Sequence, residues 1–344
     1  MKKFNFSRSV LENYDLTNKQ PFKKKVGSAK YYYQIIYDDL LEKDLIELSK
    51  LYNNNEKFRI FGMHTNLYIT ENGYNGMFID ISPKNGKITF NEETKEFIVS
   101  GNLLASNLVN YTMNLGYDFA SLTGIPGMVG AGIIGNSSWV TGKDFGDYVK
   151  KLVLFDFKEC KEIEIIPDKN FFSTRNSFIK KENFEGTRYF LKEAILKSEY
   201  IGKEKVKEKY LEQINKRKES LKYGFKEGTA GSIWSNIDLK ERTGKSFRMI
   251  LKDNPEININ FNGARYSSFG ANFFTTDFNT SDKDVAKLMR YTVEKLQELY
   301  NVKPIKEVCI LDYDGEIDLE TFLYRNLYWK IKKSMIFYKY NFKL

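Results

Sequence analysis

Histidine is almost missing from this chain: His64 is the only one among 344 residues. That scarcity excludes multi-histidine metal sites and leaves one position at most for a catalytic imidazole. Cysteine is nearly as rare, with Cys160 and Cys309 far apart and at no metal-ligand spacing. A disulfide framework is therefore not expected, and a reducing, cytoplasmic setting fits. No uninterrupted apolar run reaches the roughly 18 residues that a membrane span needs. The first sixteen residues, MKKFNFSRSVLENYDL, lack an apolar core and a small-residue cleavage site, so no secretory leader is expected. The P-loop pattern does not occur, and no internal repeat stands out. The longest apolar stretch, residues 124–140, is interrupted by glycines and Pro126, which predicts a loop with short strands.

What is present describes a folded protein. Apolar residues make up 42% and aromatics 15%, enough for the cores of two or three modest domains. The formal charge of +9 is diffuse, with lysines interleaved among Glu and Asp, as in KEKVKEKYLEQINKRKES at 203–220. A nucleic-acid reader concentrates its cations on one element, so no nucleic-acid partner is expected. A mild positive field does suit an anionic substrate.

Leu41, Leu45, Leu48 and Leu51 form one stripe, predicting an amphipathic helix over 38–52. Residues 58–61, 77–81, 87–91 and 96–100 read as strands, and 104–115 as a helix stopped by Gly116. A hairpin is expected over 151–157 and 160–166. Residues 203–220 read as a polar helix between domains, with Val206, Tyr210, Leu211 and Ile214 on its apolar face. Ser281 and Asp284 make a capping box before a strongly periodic helix. Strands and helices mix without strict βαβ alternation, so the fold class is α+β.

Three features carry chemistry. Gly62-Met63-His64-Thr65-Asn66 follows a strand. Gly124-Ile125-Pro126-Gly127-Met128-Val129-Gly130-Ala131-Gly132 precedes Asn136. Either could bring backbone N–H groups to a pyrophosphate, since glycine removes the Cβ barrier; either could equally be a turn or packing device. The third feature is polar residues in apolar settings: Arg175 in FFSTRNSF, Ser232 in TAGSIW and Glu307 in PIKEVCIL.

Taken in order, these segments resemble the UDP-N-acetylenolpyruvoylglucosamine reductase family. Residues 18–29 look like its start. Gly62, Met63, His64, Thr65, Asn66 and Leu67 resemble its GxGSNLL loop. Gly124, Ile125, Pro126, Gly127 and Gly130 match its GIPGxxG, with Asn136 following. Phe172-x-x-Arg175-x-Ser177 matches FxYRxS, and Ala230-Gly231-Ser232-x-x-x-Asn236 matches AGSxxxN. Gly263-Ala264-x-x-Ser267 resembles GAxxS, and Glu307-Val308 the final EV.

The resemblance implies an FAD-binding PCMH/vanillyl-alcohol-oxidase-type fold in two subdomains, 1–87 and 88–202. It implies a substrate domain over 203–312, leaving 313–344 as an extension expected to pack on the body. FAD is the implied cofactor and NADPH the co-substrate. Hydride goes to the enolpyruvyl group of a UDP-sugar, giving UDP-N-acetylmuramate. By the same resemblance Arg175 and Glu307 stabilise the enolate-like species, Ser232 donates the final proton, and Asn236 and Lys222 contact substrate. The chain departs from the family at His64, Ala131, Ser137-Ser138-Trp139, Thr174 and Gly270. Those departures also fit a relative acting on another nucleotide sugar, or a flavin-binding protein without turnover.

Overall fold

The computed structural model describes residues 3–138, 142–184, 186–267 and 272–324, with the side chains of 219–227 also outside the description. The chain first lays down β1 (Leu11–Asp15), β2 (Ser28–Ile35), α1 (Leu41–Asn53), β3 (Phe58–Phe61), β4 (Leu67–Ile69) and β5 (Tyr74–Ile81). Four of these strands form a sheet ordered β1-β2-β5-β3, with β1 antiparallel to β2 and the other pairs parallel. The leucine stripe forms as its spacing predicts. Leu45 and Leu48 are wholly buried, with Leu41 and Leu51 nearly so, against Tyr33, Ile35, Met77 and Ile79. Each such burial contributes about 1.5–3 kcal/mol.

Next come β6 (Ile88–Asn91), β7 (Glu96–Ser100), α2 (Ala105–Leu115), α3 (Val129–Ile134), β8 (Val149–Asp156), β9 (Lys161–Ile165), β10 (Phe172–Ser173), β11 (Asn176–Ser177), α4 (Phe178–Glu182) and β12 (Tyr189–Leu196). A five-stranded antiparallel sheet, β6-β7-β12-β8-β9, backs this part. Gly116 ends α2 in the left-handed conformation at φ 85°. Phe155, Phe157 and Phe190 from the second sheet join the core under α1, so the two sheets share apolar contacts.

The remainder contains α5 (Lys203–Glu227), α6 (Asn236–Thr243), α7 (Phe247–Asp253), β13 (Arg265–Tyr266), β14 (Phe274–Thr275), α8 (Asp282–Tyr300), β15 (Cys309–Asp312) and β16 (Gly315–Ile317). Helix α8 opens on the expected reciprocal Ser281–Asp284 box and buries Val285, Leu288, Met289, Val293 and Leu296 around Trp234 and Phe247. Strand β15 pairs in parallel with β4, matching Cys309 to Leu67, so the chain's end returns to its beginning. A second tie is ionic: the fully buried Lys24 ammonium donates to Tyr68 Oη at 2.9 Å and to Asp282 at the start of α8.

Two expectations change. Residues 124–140 do not form strands among the described residues; Val129–Ile134 is helical. Two glycines and three β-branched residues among its six give it weak helical preference, and tertiary contacts described below hold it. Helix α5 runs to Glu227, beyond the expected 220, and Leu211 is 48% exposed while Arg217 lies buried on the face begun by Val206 and Tyr210. The extension after 312 packs as expected where it is described: Leu319, Phe322 and Leu323 enter the core around Trp234. Its basic aromatic end, 325–344, lies outside the described residues. Among those residues no helix is long and apolar enough to cross a membrane, and no cluster of His, Cys, Asp or Glu is placed to hold a metal ion.

Candidate active site

The two glycine segments meet. Gly62 directly follows β3, and a Cβ built there would lie 3.6 Å from Met128 Sδ and Ala131 Cβ. A Cβ on Gly127, whose φ is 106°, would lie 3.5 Å from Thr65 Oγ1. Both positions have room in the protein itself. Gly130 and Gly132 do not: their Cβ atoms would come 2.7 Å from Gly101 O and 2.5 Å from the Phe145 ring. Helix α3 is thus wedged against Gly101, and Val129 N and Gly130 N both donate at 2.8 Å, to Leu103 O and Gly101 O. Ile125 packs against the second core, Leu67 is buried in β4, and Met63 is 43% exposed beside the meeting line.

His64 takes the left-handed conformation at φ 57°. Its Nε2 lies 2.6 Å from Asp80 Oδ1, with the ring N–H directed off that oxygen. Asp80 also accepts from Lys19 Nζ at 2.6 Å and Tyr32 Oη at 2.9 Å. Burial alone would raise the Asp80 carboxyl, but His64 and Lys19 together hold it below its usual range. The Tyr32 phenol is pushed up to about 12, chiefly by burial.

Arg175 sits in the tight turn between β10 and β11, left-handed at φ 56°. Three neighbours pin that turn. Asn136 Nδ2 donates to Ser173 O at 2.9 Å, Ser177 Oγ donates to Ile134 O at 2.7 Å, and Lys180 Nζ donates to Arg175 O at 2.9 Å. Asn136 is also used by Gly146 N, which donates to its Oδ1 at 2.9 Å. The guanidinium donates through Nη1 to Ser138 O at 2.8 Å, while its buried Nε stands 3.5 Å from Glu307 Oε1 without hydrogen-bond alignment.

Glu307 reaches this point through β-type pairing with the segment that carries Ser232. Glu307 N donates to Ile233 O and Ser235 N to Ile305 O, each at 2.8 Å, and Trp234 bridges Lys306. Ser232, the residue before Ile233, bridges Phe273 after the left-handed Gly231. Asn66 completes the circuit: its Nδ2 donates to Glu307 O and its carbonyl accepts from Cys309 N, each at 3.0 Å. Burial raises the Glu307 carboxyl, with Arg175 and Lys180 pulling the other way.

Arg175 and Glu307 are therefore brought into contact. Ser232 lies on the segment paired with Glu307, and the loop of Gly62 is tied through Asn66 to the segment of Glu307 itself. Asn236 starts α6, and its Oδ1 accepts from Phe247 N at 3.0 Å. Lys222 lies on α5 with its side chain outside the described residues, as are Trp139 and Gly270 entirely. Two surface hollows, one holding Lys158, Glu182 and Arg188 and the other Asn262, Asp277 and Phe278, share none of the catalytic candidates.

Sequence reasoning missed Lys180, Asp80 and Arg217. A signal existed for Arg217, which falls on the helical face of Val206 and Tyr210; it donates to Ser121 O at 3.3 Å, and burial lowers its pKa to about 10. Lys180 gave none, because a lysine in a polar helix is usually a solvated one.

No family model matches the chain. The curated UDP-N-acetylenolpyruvoylglucosamine reductase of Pelagibacter ubique is 27% identical over 294 residues, covering 83% of this chain and 89% of that protein. The one from Carboxydothermus hydrogenoformans is 26% identical over 315 residues, covering 89% and 95%. Among solved structures, UDP-N-acetylenolpyruvylglucosamine reductase from Thermus caldophilus superposes with a TM-score of 0.64 at 17% identity, over 88% of this chain and 98% of that one. That last likeness shows a shared fold.

Proposed function

We propose that the chain is a divergent member of the UDP-N-acetylenolpyruvoylglucosamine reductase family, with an α+β fold of the PCMH/vanillyl-alcohol-oxidase type, and that it reduces the enolpyruvyl ether of UDP-N-acetylglucosamine enolpyruvate to UDP-N-acetylmuramate, a cell-wall precursor. The observation that carries the reading is the contact of Arg175 with the largely buried Glu307, on the segment paired with Ser232 and tied to Asn66.

The residues present fit FAD. Gly62 and Gly127 each lack a Cβ that the protein has space for, at the line where the two glycine segments face each other. Room left by glycine in this way lets backbone approach a pyrophosphate. Gly62 to Asn66 and Gly124 to Gly127 would border the cofactor; Leu67, Gly130 and Asn136 would fix the shape of that border. When bound, FAD supplies the hydride that NADPH provides.

The protein's own groups handle the charge that reduction creates. Adding hydride to the terminal carbon of the enol ether places negative charge on the neighbouring carbon and its carboxylate. Arg175 stabilises that charge as a fixed cation. The Glu307 carboxyl is raised by burial, which favours its neutral form, and a neutral carboxyl can donate a hydrogen bond to the developing enolate. Ser232 then gives its hydroxyl proton to the carbon. A hydroxyl is a weak acid toward oxygen bases but adequate toward a carbanion-like centre. Hydride and proton together saturate the double bond.

Asn236 and Lys222 would contact the sugar nucleotide, whose phosphates suit the chain's net positive charge. The domains would be 1–87, 88–202 and 203–312, and the setting cytoplasmic, without nucleic-acid partners. Purified, FAD-loaded protein should oxidise NADPH only when the enolpyruvyl UDP-sugar is present. NADPH oxidation driven equally by other nucleotide sugars, or absent with all of them, would overturn this.

A further inference from the structure

Lys180 stands where the fold needs a cation and where the reading above assigns none. It is the third residue of α4, and its backbone N–H donates to the Ser177 hydroxyl at 3.1 Å. Its ammonium turns back to donate to the carbonyl of Arg175 at 2.9 Å. Of the three hydrogen bonds that pin the turn, only this one reaches Arg175 itself. A left-handed residue with a side chain persists only when its surroundings over-determine it, and Arg175 has φ 56°.

We propose that Lys180 is a positioning residue of the reductase: its ammonium fixes the Arg175 turn so that the guanidinium meets Glu307, and adds a second positive charge beside that carboxyl. The proposal rests on the function proposed above for its consequence in turnover, and on geometry alone for its effect on the turn.

The surroundings are charged on every side. Glu316 of β16, Cys309 of β15, and Lys306 and Glu307 just before β15 act electrostatically on the ammonium. Arg175 and Ser235 face Glu307 from the β10–β11 turn and the start of α6. Lys180 as a whole residue is exposed. Protein groups nevertheless crowd its ammonium enough for burial to lower its pKa, against the pull of Glu316, Cys309 and Glu307.

The test compares Lys180→Met and Lys180→Arg in the full chain loaded with FAD. Lys180→Met should lose about 10- to 100-fold in kcat, the scale of a small misplacement of a catalytic group, with flavin content and unfolding temperature kept. Lys180→Arg, which keeps the charge and the donors, should restore most of it. If neutral Glu307 is the active form, losing a nearby cation raises its pKa, so the alkaline limb of the pH profile should move up in Lys180→Met and stay in place in Lys180→Arg. Amide hydrogen exchange over 172–178 should rise several-fold in the Met variant only. Unchanged exchange there overturns the positioning claim, whether or not the protein turns over; wild-type enzyme without turnover overturns the reductase reading instead. Altered exchange with unaltered kcat and pH profile also overturns the proposal.

Discussion

Gly62→Ala separates a glycine kept for packing from one kept for a ligand. The new Cβ would sit 3.6 Å from Met128 Sδ and from Ala131 Cβ, ordinary van der Waals distances, and Gly62 has no left-handed backbone to strain. The protein alone should therefore tolerate the methyl group, or gain about 0.4–1 kcal/mol through a less flexible unfolded chain. Gly130→Ala is the control. Its Cβ would meet Gly101 O at 2.7 Å, Gly101 Cα at 3.2 Å and Gly101 C at 3.3 Å. That is backbone against backbone, so overpacking should cost about 1–3 kcal/mol. The assay pairs thermal unfolding of flavin-free protein with FAD titration followed by quenching of flavin fluorescence. Gly62→Ala should unfold at or slightly above the wild-type temperature yet bind FAD at least about tenfold more weakly, a loss of about 1.4 kcal/mol. Wild-type affinity in that variant would refute the placement of FAD along the line between the two glycine segments. A large fall in its unfolding temperature would refute the packing argument.

Ser232→Ala should lower kcat by about 10²- to 10⁴-fold while FAD and substrate still bind, the usual cost of removing a general acid; steady-state kinetics with an unaltered kcat would remove Ser232 from the mechanism. Asp80→Asn should destabilise the protein by about 1–3 kcal/mol, because it leaves the partly buried Lys19 ammonium without its carboxylate. The pH dependence has a definite sign. The folded Asp80 carboxyl lies below its unfolded value, so its contribution is present above the unfolded pKa and fades as pH falls through the folded one. Urea unfolding of wild type and variant should therefore converge at low pH, and a constant difference between them would contradict the ion-pair assignment.

The elements legible in the sequence are those fixed by local chemistry. Leu41, Leu45, Leu48 and Leu51 announce α1, Gly116 ends α2 at a left-handed cap, and Ser281 with Asp284 opens α8. Residues 124–140 misled because Val-Gly-Ala-Gly-Ile-Ile has weak helical preference of its own. Its helix is imposed from outside, by Leu103 O and Gly101 O on its first N–H groups and by Phe145 against Gly132. The pairing of β4 with β15 joins residues near 67 to residues near 309, and no local pattern encodes such a partner. In the site, Arg175 and Glu307 were found as polar residues in apolar runs that match a family's motifs, and they meet. Lys180 and Asp80 matter only through neighbours brought to them by the fold. Arg217 was hidden by its type, since a helix face is read from apolar residues and a buried arginine breaks the pattern.

The central claim is that reduced flavin in this protein gives its hydride to an enolpyruvyl ether. Under anaerobic conditions, stoichiometric NADPH should bleach the visible flavin bands of the reconstituted protein, and UDP-N-acetylglucosamine enolpyruvate should restore them with about one UDP-N-acetylmuramate formed per flavin. Protein that takes up no flavin, or flavin that stays bleached after the sugar nucleotide is added, would contradict the account.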